Sequence, residues 1–143
     1  MKRVIIVEDE TAAVVNLRSM LTAVMGDVEV VAVLESVEES VEYFSKKPSA
    51  DIVFMDIHLA DGESFRIFDS VDIKSPIIFT TAYDEYALRA FKVNSIDYIL
   101  KPISYFAFSQ RLGRAINRMK KREQKSLVLP VKGGVARLPV QSI

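Results

Sequence analysis

Glu8 and Asp9 follow the apolar run Val4-Ile5-Ile6-Val7, and Asp56 follows the run Ile52-Val53-Phe54-Met55. Runs of four β-branched, aromatic or long apolar side chains are the pattern of strands buried on both faces of a parallel sheet. If the two strands are neighbours, three carboxylates meet at one sheet edge. Two unit charges about 4 Å apart repel by roughly 4 kcal/mol at an effective dielectric near 20, so such a cluster requires a cation or a proton. Oxygen ligands in a chain without cysteine point to Mg²⁺. Two further runs end in Thr80-Thr81-Ala82 and in Lys101-Pro102. An ammonium and a hydroxyl beside a metal-bound carboxylate suit a tetrahedral anion, because Mg²⁺ and Lys101 neutralise charge and the hydroxyl donates a hydrogen bond. The chemistry implied is phosphoryl transfer to a carboxylate.

These residues meet only if the strands are correctly ordered. Apolar runs predict strands at 3–7, 28–34, 51–55, 76–80 and 96–100. Between them lie helical patterns. Ala13, Leu17, Met20, Leu21 and Val24 form a stripe that stops at Gly26. Ser36 and Glu39 have capping-box spacing ahead of Val41 and Phe44. Asp61-Gly62 is a turn signal before a short helix with Phe65 and Phe68, and Asp84 can cap a helix carrying Ala87, Leu88 and Phe91. A long helix is expected from Pro102 to about position 125. The alternation predicts an α/β fold: a flavodoxin-like, doubly wound five-stranded parallel sheet, order 2-1-3-4-5, with helices on both faces and its crevice at the carboxyl ends of strands 1 and 3.

A chain of 143 residues with 50% hydrophobic content is expected to form one domain with a short appendage. No cysteine means no disulfide, thiolate site or cysteine nucleophile. The start is too short and too acidic for a signal peptide, and no apolar run approaches membrane-spanning length; a cytoplasmic protein without membrane contact is expected. The formal charge of zero is split: residues 1–110 hold 10 basic and 18 acidic side chains, residues 111–143 hold 9 and 1. Arg111, Arg114, Arg118, Lys120, Lys121, Arg122 and Lys125 could be a nucleic-acid footprint. The apolar stripe Leu112, Ala115, Ile116 and Met119 favours a solvated helix face instead. Leu127, Leu129 and Val131, then Gly133-Gly134, then Val135 to Leu138 read as two strands and a turn. A lone hairpin is marginal in water, so this stretch is either a disordered tail or the opening of a second domain.

Val7-Glu8-Asp9-Glu10, Met55-Asp56, Asp61-Gly62, Thr81-Ala82 and Lys101-Pro102, in this order and at these strand ends, resemble a response-regulator receiver domain of two-component signalling over residues 1–122. The resemblance implies that Asp56 is the phosphoacceptor, phosphorylated from the phosphohistidine of a sensor histidine kinase. It implies Mg²⁺ held by Asp9, Asp56 and the backbone carbonyl of His58, with Glu8 acting mainly through water, and Lys101 bonding the phosphoryl group. Thr81 would be the switch hydroxyl, with Thr80 its rival, and Tyr98 the coupled aromatic unless it is merely core filler. His58 and Tyr83 would stand on the site rim and slow self-dephosphorylation, and the Lys101–Pro102 peptide would be cis.

The stretch from Phe79 to Ala87 and that from Ile96 to Ile103 resemble receivers attached to LytTR-type DNA-binding domains. Val131-Lys132-Gly133-Gly134 onward resembles the opening of that effector, so residues 123–143 are expected to be a linker and the first hairpin of a truncated effector domain. DNA contact would then come only through the missing part. Phosphorylation is expected to produce a homodimer through the face formed by residues 84–121, with Asp84, Glu85 and Asp97 set against Arg89, Lys92, Arg111, Arg114 and Arg118 of the mate.

Two other functions compete. An aspartyl-phosphate phosphatase would also use Asp56 as nucleophile, but Ile57-His58-Leu59 supplies no acid two residues on. A flavodoxin-like mononucleotide carrier needs Gly, Ser or Thr after strand 1, where Glu8-Asp9-Glu10 repels phosphate. A signalling domain, not a turnover enzyme, is expected.

Overall fold

The computed structural model describes residues 2–82 and 95–127. The expected helix from Asp84, Tyr83 on the rim and the terminal hairpin lie outside the described residues. Five parallel strands, β1 (Lys2–Val7), β2 (Val28–Leu34), β3 (Ile52–Asp56), β6 (Ile77–Thr81) and β7 (Ser95–Leu100), form one sheet in the order β2-β1-β3-β6-β7. This is the expected 2-1-3-4-5 order. The intervening strands β4 (His58–Leu59) and β5 (Gly62–Glu63) pair antiparallel as a small hairpin after β3.

Alternate residues of the central strands feed two cores. Ile5, Val7, Val53, Met55, Ile77 and Phe79 pack with Val37 and Phe44 of helix α2 (Val37–Phe44) and Ile67 of a 3₁₀ helix (Ser64–Asp69). Val4, Ile6, Ile52, Phe54, Ile78 and Ile99 pack on the other face with Leu17 and Leu21 of α1 (Thr11–Met25) and Phe108, Leu112 and Ala115 of α3 (Tyr105–Leu127). Each buried Val, Ile or Phe contributes about 1.5–3 kcal/mol. The short helix carrying Phe65 and Phe68 is therefore present, wound as 3₁₀.

Helix ends follow their residue chemistry. Gly26, at φ 74°, stops α1 and donates its amide to the Thr22 carbonyl. Ser36 Oγ accepts from the Glu39 amide at 3.0 Å, while Glu39 Oε1 accepts from Glu35 at 2.8 Å, one residue earlier than the usual capping box. Both edge strands carry register shifts. Val4 pairs with Val30 and Ile5 with Ala32; Ile77 pairs with Ser95 and Ile78 with Asp97. Such bulges bend an edge away from further pairing. No helix among the described residues is long and apolar enough to cross a membrane.

Gly113 lies inside α3 with open space around the position of a Cβ and no positive φ. Alanine there removes backbone freedom from the unfolded chain without a clash, so Gly113→Ala should stabilise the protein by about 0.5–1 kcal/mol. A thermal midpoint that fails to rise would contradict this.

Candidate functional site

The ladders of the sheet bring the expected residues to one edge. The Glu8 amide continues the β1–β2 ladder to the Leu34 carbonyl at 2.8 Å, and the Ile57 amide continues the β3–β6 ladder to Thr80 at 3.1 Å. The Lys101 amide donates to the Thr81 carbonyl at 2.7 Å, which carries the β7 chain along the same edge. The Lys101–Pro102 peptide is cis, as the resemblance implied.

Carboxylate oxygens of Glu8, Asp9 and Asp56 lie within 4.8 Å of one another. Lys101 Nζ donates to Glu8 Oε1 at 3.0 Å and to Asp56 Oδ2 at 3.3 Å, reaching across from the far side of the sheet. The Glu8 and Asp56 side chains are only 6% and 9% exposed. Burial pushes the Glu8 carboxyl up to about 7; the Lys101 hydrogen bond opposes this and the Asp56 charge adds to it. Burial alone would lower Lys101, but the hydrogen bonds and charges of Glu8 and Asp56 outweigh it and hold the ammonium above the usual lysine value. Lys101 is therefore cationic at neutral pH. The donor set is all oxygen and is gathered within 4.8 Å, the hard ligand type that Mg²⁺ prefers. These residues fit such an ion.

Both threonines are buried, on opposite faces. Thr80 stands opposite Asp56 in the β3–β6 register and lines a cavity of about 200 Å³ with Glu8, Leu17, Phe54 and Lys101. Thr81, one residue on, belongs by strand alternation to the face of Phe79. Tyr98 pairs with Phe79, packs against the α2-side core, and carries the Arg111 guanidinium 4.9 Å from its ring centroid. His58 is exposed, and its amide makes a long 3.4 Å contact to Asp56 Oδ1.

One expectation is corrected. Asp97 was assigned to a surface facing a second subunit, yet it is fully buried. Its carboxylate accepts from Arg114 at 2.6 and 2.8 Å and from Arg111 at 3.1 Å, with Arg118 3.5 Å away. The physical reason is that Asp97 pairs with Ile78 and shares by alternation the face of Ile99, which α3 covers. Arg111, Arg114 and Arg118 recur at helical spacing on the facing side of α3. That spacing was visible in the sequence; its buried partner was not.

Residues 4–112 match the response regulator receiver domain family. The chain belongs to this family. Among relatives of this receiver, the sensory transduction protein LytT of Bacillus anthracis is 38% identical over 131 residues, covering 89% of this chain and 50% of LytT. The transcriptional regulatory protein BtsR of Salmonella typhi is 34% identical over 128 residues, covering 87% of this chain and 51% of BtsR. The receiver thus spans about half the length of these curated relatives. The crystal structure of the response regulatory domain of protein mrkE from Klebsiella pneumoniae superposes with a TM-score of 0.69 at 27% identity, covering 83% of this chain and 98% of that one.

Burial would raise the Asp97 carboxyl, but hydrogen bonds from Arg114, the Tyr98 amide and Arg111 outweigh it and hold it below the usual aspartate value. A depressed carboxyl stabilises the fold fully above its unfolded pKa of about 3.9 and loses that contribution as pH falls through the folded value. Asp97→Ala should therefore cost about 3 kcal/mol at pH 7, the low end for a broken buried ion pair because the arginines remain partly solvated. The difference from the parent should shrink in unfolding curves taken below about pH 4.

Proposed function

We propose that this receiver accepts a phosphoryl group on Asp56 from the phosphohistidine of a sensor histidine kinase and transmits the added charge to an attached DNA-binding module. The observation that carries the reading is the Lys101 ammonium bonded at once to Glu8 and Asp56, with Asp9 beside them. An Asp56 oxygen attacks phosphorus, the P–N bond breaks as the P–O bond forms, and the leaving imidazole nitrogen takes a proton from solvent. Lys101 has three N–H donors and turns from the carboxylates to the phosphoryl oxygens. Asp9, Asp56 and the His58 carbonyl, with Glu8 through water, would hold Mg²⁺, which would supply neutralising charge there. Thr81 donates its hydroxyl to the phosphoryl group, and Tyr98 moves with it. The bulk of the His58 and Tyr83 side chains keeps self-dephosphorylation slow.

Residues 1–122 act as the receiver and residues 123–143 as the linker and opening hairpin of a LytTR-type effector, in keeping with the likeness to LytT and BtsR. Acetyl phosphate with Mg²⁺ should add one phosphoryl mass to the chain, and Asp56→Asn should abolish the addition. Label persisting on another carboxylate would overturn the assignment of Asp56.

A phosphoryl group brings about −1.5 to −2 units of charge and three acceptor oxygens, which draw Thr81 inward and change the face formed by residues 84–121. This face pairs with its copy in the activated state. Because Asp97 is engaged within its own chain, exposed groups other than Asp97 make that contact. Sedimentation with a beryllofluoride mimic should show a dimer where the untreated protein is monomeric; an activated protein that stays monomeric at high concentration would refute it.

A further inference from the structure

Asp61 lies five residues beyond Asp56 in an exposed turn, yet its carboxylate accepts from two backbone amides of α2, Val37 at 2.8 Å and Glu38 at 3.1 Å. These are the first amides of the helix, which have no partner within it. The same bonds, that from Val37 first, hold the Asp61 carboxyl below the usual aspartate value. The start of α2 is thus capped twice, locally by Ser36 and by Asp61 from 24 residues away.

The remote cap closes a ring around the carboxylate cluster. From Glu8 the Leu34 carbonyl leads along the chain to Val37, and Val37 leads through its amide to Asp61. From Asp61 the chain returns to Asp56, and Lys101 joins Asp56 back to Glu8. The loop within this ring is stiff. The Ser64 amide bonds the Ile57 carbonyl at 2.8 Å, and His58 and Leu59 pair with Glu63 and Gly62. At the tip, Arg66 Nη1 donates to the Asp61 carbonyl at 3.2 Å. Gly62 has φ +140°, and a Cβ there would stand 2.7 Å from Arg66 Nη1. A loop rigid in itself can still tilt as a unit about its departure from β3. Asp61 is the side chain that fixes that tilt to α2, and α2 is tied through Leu34 to Glu8.

We propose that Asp61 is a positioning residue of the cation and phosphoryl site, an inference that rests on the function proposed above. By pinning the 57–63 loop to the start of α2, it sets where the His58 backbone stands relative to Asp9 and Asp56, without touching either ligand. Groups that orient metal ligands from behind typically change metal affinity by about 10–100-fold when removed. The coupling is reciprocal: a cation in the site holds the loop against α2 and protects the Val37 and Glu38 amides.

The test compares Asp61→Ala with Ser36→Ala, which removes the other cap of the same helix and leaves the ring closed. Mg²⁺ is titrated by calorimetry, and amide exchange is followed with and without Mg²⁺ on the full chain. Asp61→Ala should weaken Mg²⁺ about 10-fold, speed exchange at His58 and Leu59 in the metal-free protein, and abolish Mg²⁺-dependent protection of Val37 and Glu38. Ser36→Ala should lower the thermal midpoint comparably while keeping Mg²⁺ affinity within about twofold, as expected of a helix cap alone. Asp61→Asn keeps one acceptor and should fall between, which covers failure of the alanine variant to fold. Equal weakening by Ser36→Ala, or unchanged affinity in a folded Asp61→Ala, overturns the role of Asp61. Asp9→Ala reports separately on the underlying reading: if it binds Mg²⁺ as the parent does, the metal site itself is wrong.

Discussion

Glu8 and Asp56 are buried side by side at the ends of adjacent strands, and the Lys101 ammonium between them is what makes the arrangement tolerable. Two close carboxylates in a site of reduced dielectric repel by several kcal/mol, and each loses hydration on burial. Lys101 offsets one charge. With Asp9 alongside, three acids against one base leave two formal negative charges, the electrostatic demand of a divalent cation. Part of that demand falls on Glu8 itself, whose carboxyl rises to about 7. The contact ties the edge strand to the centre of the sheet, because Lys101 at the end of β7 reaches Asp56 past β6 and Glu8 past β6 and β3.

A second buried charge governs the opposite end of β7. Asp97 is inaccessible to solvent and is held by three arginines of α3, so α3 is fastened to the edge strand by charge as well as by Phe108, Leu112 and Ala115. Arg111 serves both sides of that strand, bonding Asp97 and lying over the Tyr98 ring. Arg111 thus links the Tyr98 ring to α3.

Strand runs, the Gly26 stop and the Ser36–Glu39 cap were legible because they depend on residues close in sequence: apolar periodicity, a positive φ and a side chain reaching three residues ahead. The acidic cluster and Lys101 were legible for a related reason. Each sits at the end of a buried run, and the right-handed crossover rule allows few strand orders, so the ends of those runs must share an edge. Asp61 was read only as a turn former, since nothing near it in the sequence indicates that helix amides 24 residues earlier need an acceptor.

The sequence by itself determined the layered fold, the strand order and the identities of the groups at the carboxyl edge, because these follow from local periodicity and from a small set of allowed topologies. Only the tertiary structure decided what each face of the edge strand would meet. Asp97 shares the face of Ile78 and Ile99, and α3 covers that face with arginines, so the carboxylate is paired within its own chain instead of turned toward a partner. Period-two patterning sets Asp97 beside Ile99 but carries no record of which helix covers that face or which charges it brings, because those come from segments distant in sequence.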